Sequence, residues 1–145
     1  MIDQIKNEIS ALDFLHEEEV FQRIQGCIQD ALQYNTHFCD YFISDFLMGK
    51  EREAKSLFLF SDSHLYAFPK LFDQDQLQIF PYKKQIQFVD IKKKSFDDRD
   101  HITIKSRYLA IVSFVNQQSV ELKASGINCS KALSMVQKHI LPNLL

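Results

Sequence analysis

The chain has no tryptophan and, among its 145 residues, only three glycines, three prolines and three cysteines. Each scarcity excludes something. So few glycines leave no glycine-rich loop to cradle a phosphate and few tight turns of the Asn-Gly kind. Cys27, Cys39 and Cys129 are odd in number and widely spaced. A disulfide framework wants an even and denser set, so reduced thiols and a cytoplasmic setting are expected. No run approaches the roughly 18–20 apolar residues that span a bilayer. The first ten residues already hold Asp3, Lys6 and Glu8, unlike the apolar core of a secretory leader. Catalytic signatures are missing as well, with no Gly-x-Ser-x-Gly elbow and no His-Glu-x-x-His pair. Neither an enzyme nor a cofactor is expected.

What is present is ordinary in bulk and uneven in detail. Hydrophobic content of 46% and charged content of 25% are those of a globular protein. Thirteen phenylalanines imply a core built largely on that side chain. The net charge of −2 hides an asymmetry. Residues 1–40 hold two basic and eight acidic side chains, a balance of −6, and the rest of the chain balances to +4. An acidic arm on a mildly basic body suggests contact between the two, or between arms and bodies of different copies.

Residues 1–36 read as a helical arm and residues 37–145 as the main domain. Ile2, Ile5, Ile9 and Leu12 recur at spacings of three and four, which places them on one helical stripe. The stripe loses phase over residues 13–19, where Ser10 with Asp13 has capping-box form and Asp13 is itself a candidate cap for a second helix. Val20, Ile24, Cys27, Ile28 and Ala31 give that helix its own stripe. From residue 37 the rhythm changes. Residues 38–48 read as a strand, although Phe38, Phe42 and Phe46 at four-residue steps leave a helical reading open. Residues 49–54 read as a charged loop. Residues 55–68, KSLFLFSDSHLYAF, are two short aromatic-rich runs around Ser61-Asp62-Ser63, the pattern of a β-hairpin with a polar turn. Further strands are expected at 77–80, 85–94, 101–105, 108–115 and 120–124, with a turn at 96–100. A closing helix follows Gly126, capped by Asn128 or Ser130, with Leu133, Val136 and Ile140 as its stripe and Pro142 as its stop. The expected fold is therefore α+β: about seven antiparallel strands in a barrel or sandwich, with helices at both ends of the chain.

Two segments carry a family resemblance. KSLFLFSDSHLY at residues 55–66 is similar to the early hairpin of bacterial pleckstrin-homology-like (PH-like) domains, although His64 stands where that family usually has Arg and Ser61 where Thr is common. Phe80-Pro81-Tyr82-Lys83-Lys84-Gln85-Ile86 resembles the family's Ile-Pro-Tyr-x-x-Ile segment. The resemblance covers roughly residues 38–141. It implies a seven-stranded antiparallel barrel capped by a C-terminal helix, and a role in binding phosphoinositides, peptides or proteins, with self-assembly in bacterial members.

The candidate sites follow. Lys50, Arg52 and Lys55 lie where the resemblance places a lipid- or anion-binding motif, but Glu51 and Glu53 interleave with them, and a solvated charged loop is the plainer reading. Lys92-Lys93-Lys94 and Lys83-Lys84 are denser, and at strand ends they also guard edges against aggregation. His37 and Cys39 would hold zinc only with two further ligands from elsewhere, so no metal is expected. A pI of about 6.2 and the lack of a basic helical stripe argue against nucleic acid. The arm's stripe must be buried somewhere, which makes Ile2, Ile5, Ile9, Leu12, Ile24 and Ile28 candidates for a protein interface. The reading is a non-catalytic binding or scaffold protein that associates with proteins, itself included, as a homo-oligomer. Its alternatives are an anionic-lipid module at a membrane surface and a secretion chaperone.

Overall fold

The two apolar stripes of the N-terminal stretch wind into helices α1, Ile2–Ala11, and α2, Glu17–Ala31. A computed structural model describes residues 1–73, 75–94 and 106–145. It divides into two compact units, Met1–Phe80 and Pro81–Leu145. The boundary expected at residue 36 falls inside the first unit, because the arm shares its core with the strands that follow it. The strand and turn expected over residues 96–105 lie outside the described residues.

In the first unit, four strands form one antiparallel sheet in chain order: β1 (Asp40–Met48), β2 (Glu51–Phe60), β3 (His64–Phe68) and β4 (Gln78–Pro81). Residues 38–48 are thus strand, not helix, from Asp40 on. The β1–β2 connection needs only Gly49 and Lys50, since Met48 already faces Glu51. Gly49 takes a φ of 63° at the first turn position, where a positive φ favours glycine. The charged loop expected over residues 49–54 is therefore mostly strand. Glu51 and Glu53 point to water while Arg52 and Ala54 are buried, so the period-two rhythm is present with a charge on its inner side. At β2–β3, Ser61 closes the turn as expected: its Oγ accepts from the His64 N–H at 3.0 Å.

One face of this sheet is covered by the helices. Ile5, Ile9, Leu12, Ile24 and Ile28 join Tyr41, Ile43, Leu57, Leu59 and Phe68 in a single cluster. Burying each such side chain contributes about 1.5–3 kcal/mol. The α1–α2 link departs from the expected caps. Ser10 lies inside α1, and Asp13 and His16 both adopt left-handed backbone (φ of 55° and 56°). His16 is the residue that precedes α2, and its carbonyl accepts the Val20 N–H.

In the second unit, β5 (Ile86–Lys94), β6 (Arg107–Phe114) and β7 (Ser119–Ser125) form a three-stranded antiparallel meander. The β6 pattern alternates strictly, with Tyr108, Ala110, Val112 and Phe114 buried. A short 3-10 turn leads into helix α3, Cys129–Met135, which continues as one π turn, Val136–Ile140. Ala132, Met135, Val136, His139 and Ile140 are its buried side chains, a stripe shifted from the expected one at Leu133. Among the described residues the seven strands hydrogen-bond as two separate sheets of four and three, not as one closed barrel.

Candidate association surface

Register decides which charges meet in the second unit. Lys92, Leu109 and Lys123 are cross-strand partners, and Lys94, Arg107 and Ser125 form the next row. These residues alternate with the buried Tyr108 and Ala110, so both rows share the face opposite the buried one. Directly opposed residues have Cβ atoms about 4.5–5.5 Å apart, so Lys92, Lys94, Arg107 and Lys123 share one field at moderate ionic strength. Two carboxylates, Asp90 and Glu121, flank the group, the second 3.6 Å from Lys123 Nζ. Lys93 turns to the other face, over the Tyr108 ring. Burial pushes the Tyr108 hydroxyl's pKa upward, with a smaller contribution from Cys129.

Strand β5 is also the place where apolar groups stay in water. Phe88 is 53% exposed on the face of the lysine rows, and Ile91 is 40% exposed on the opposite face. One edge of β5 pairs with β6. At the other edge, among the described residues, the only backbone partner is the chain's own tail: the Leu145 N–H donates to the Ile86 carbonyl at 3.0 Å, and Leu144 lies parallel to Ile86. Beyond Ile86 no described segment pairs with that edge, and an unpaired edge is a template for another strand.

The three cations singled out by the resemblance do not converge. Lys50 is an exposed turn residue. Arg52 is 5% exposed; its guanidinium donates to Asp45 Oδ2 at 2.5 Å and to the Leu12 carbonyl at 3.0 Å. Lys55 turns to the opposite side of β2 and pairs with Glu53 at 2.7 Å. It borders a cleft of about 290 Å³ whose rim also carries Glu19, Glu53 and Asp73. A setting of three carboxylates around one lysine repels an anion. The arm's stripe is likewise spoken for: Ile5, Ile9, Leu12, Ile24 and Ile28 are buried against their own sheet, and Ile2 is half-buried beside them.

His37 and Cys39 are exposed, the Cys39 thiol donates to the Phe60 carbonyl, and among the described residues no ligand cluster includes His37. Cys27 is sealed on α2, where burial pushes its thiol up to about 11, beyond easy ionisation.

Sequence reasoning noted Lys92, Lys93 and Lys94 as edge protection but missed Arg107 and Lys123 as their neighbours. The only available signal was alternation within β6 and β7, since register is invisible until strands pair. No helix among the described residues is long and apolar enough to cross a membrane. Comparison with known proteins gives no matching family model, no curated relative and no matching solved structure.

Proposed function

We propose that the chain is a non-catalytic association protein, PH-like in plan, that binds other proteins, copies of itself included, through the β5 side of its second unit. The observation that carries the reading is the exposure of Phe88 and Ile91 on opposite faces of one edge strand. Large apolar groups kept in water beside a strand edge that no described segment pairs beyond Ile86 favour partner burial. Four antiparallel strands, then three, then a helix are in keeping with the PH-like resemblance and with its binding roles.

The test is light scattering across a concentration series, on the full chain and on a Phe88→Ser/Ile91→Ser variant. Removing residues 1–36 would strip the first unit's core, so point variants replace truncation. The expected result is a concentration-dependent oligomer that the double variant returns to monomer while its circular dichroism is unchanged. A full chain that stays monomeric throughout removes self-association.

A second reading is favoured by the rows of Lys92, Lys94, Arg107 and Lys123. They move the anionic-surface alternative from the β1–β2 turn to the outer face of the second sheet. Equal retention on neutral and anionic vesicles removes that alternative.

A further inference from the structure

We infer that the edge of β5, which no described segment pairs beyond Ile86, is a docking strand for an extended, acidic segment of another protein, which adds to the sheet beside Phe88 and Ile91 and sets its carboxylates against Lys92, Lys93 and Lys94. This rests on the association reading and specifies the partner's chemistry.

Three observations lead there. First, the edge already accepts a strand. Leu144 and Leu145 lie along it at Ile86 in parallel, with a backbone hydrogen bond of 3.0 Å. From residue 87 to residue 94 no described segment continues that pairing. Second, side chains on an added strand would alternate between the two faces of the sheet. On one face they meet Phe88, then Asp90, then Lys92 and Lys94; on the other they meet Val89, Ile91 and then Lys93. Both faces start apolar and end basic, with the single carboxylate of Asp90 between the two parts on the first. The matching segment is one whose apolar half adjoins an acidic half. Third, Arg107 and Lys123 stand in the rows of Lys94 and Lys92 and deepen the positive field at that end. Such a field selects against basic partners and speeds the arrival of acidic ones.

The experiment uses the full chain and three labelled octapeptides. The first is Val-Thr-Ile-Thr-Glu-Asp-Glu-Asp. The second has lysine in place of every acid. The third keeps the acids but carries proline in place of the isoleucine and the second threonine, so that it cannot pair along a strand. Binding is read by fluorescence anisotropy, and its location by amide shifts in a nitrogen-edited spectrum. The acidic peptide is expected to bind at least about tenfold tighter than either control at low salt, as complementary charge and strand pairing both require. Its largest amide shifts fall in residues 87–94. A Lys92→Glu/Lys94→Glu variant, surface changes that leave both cores alone, should lose at least about tenfold of that affinity.

If the proline peptide binds as well as the first, the edge is not a strand template and the inference fails. Equal binding of the lysine peptide overturns the acidic preference but leaves protein association intact. If the edge is taken by a second copy, light scattering shows an oligomer, no peptide binds, and the inference is overturned while self-association stands. A monomer that binds no peptide ends both.

Discussion

Residues 1–80 carry six basic and fourteen acidic side chains, and residues 81–145 carry eleven and five. More telling than the counts is where the cations stand. In the first unit the best-placed cation, Arg52, points inward. It grips Asp45 on the neighbouring strand and the Leu12 carbonyl at the end of α1, so charge fastens the helical arm to its sheet. In the second unit Lys92, Lys94, Arg107 and Lys123 share an outer face, and apolar Phe88 and Ile91 remain in water beside them. One unit uses charge to close itself. The other displays it at a strand edge. Net charge is thus a poor guide to a binding surface, and the side of the strand that a cation occupies is a better one.

The contrast breaks most visibly at the buried pair. The Asp45 side chain is fully buried and that of Arg52 is 6% exposed. Asp45→Ala leaves a guanidinium in the interior with its main partner gone, which costs about 3–5 kcal/mol. Urea unfolding followed by far-ultraviolet circular dichroism measures it. The double variant Asp45→Ala/Arg52→Met should recover most of the loss, because removing both charges abolishes the desolvation penalty. A single variant within about 1 kcal/mol of the parent would mean that Arg52 reaches water, and the distinction between the units would blur.

A smaller effect comes from Cys27. Burial raises its native pKa from 9.0 to about 11, with Arg23 pulling the other way. The native state therefore holds the thiol proton after the unfolded chain has lost it. The contribution to stability is complete below about pH 9 and is lost as pH rises through 11, with a ceiling of about 3 kcal/mol. Other groups titrate in that window. Tyr41 is shifted upward by burial and by neighbouring Glu8, so its own loss begins above about pH 10, its unfolded value, and overlaps that window. The difference between parent and Cys27→Ala, measured at pH 8 and pH 11, isolates the thiol. A constant difference would show that Cys27 reaches solvent in the native state.

Much of the fold could be read before any coordinates. Spacing of three and four residues located α1 and α2, and aromatic runs around Ser61 located β2 and β3. Residues 108–115 were read as a strand, and β6 covers all of them but Val115. The failures have specific causes. The first four residues of β2 were missed because Arg52 occupies an inward position that pattern reading reserves for apolar groups, and only its pairing with Asp45 makes that tolerable. The start of α2 was misplaced because His16 takes a left-handed conformation without a side-chain cap. Whether the arm packs on its own body or on another copy was left open, because a stripe shows that a face is buried and not what covers it. The surface itself was only half legible. Lys92, Lys93 and Lys94 stand together in the chain, but Arg107 and Lys123 join them through register alone.

The smallest expected effect sharpens the comparison from the other side. Lys123 and Glu121 form an ion pair by distance, as Arg52 and Asp45 do, but their side chains are 59% and 50% exposed. Water already solvates both ends, and holding two long side chains in one geometry costs rotamer entropy. Such a pair contributes between about 0 and 1 kcal/mol. Lys123→Ala should therefore leave urea unfolding within about 0.5 kcal/mol of the parent. The same substitution removes one of the four cations on the outer face and leaves Glu121 behind. Affinity for the acidic octapeptide should fall severalfold in low salt, and the gap should narrow as salt screens the field. Stability lost without affinity would place Lys123 with Arg52, as a cation that holds its own unit together. Affinity lost without stability is the behaviour of a residue whose charge is directed at a partner.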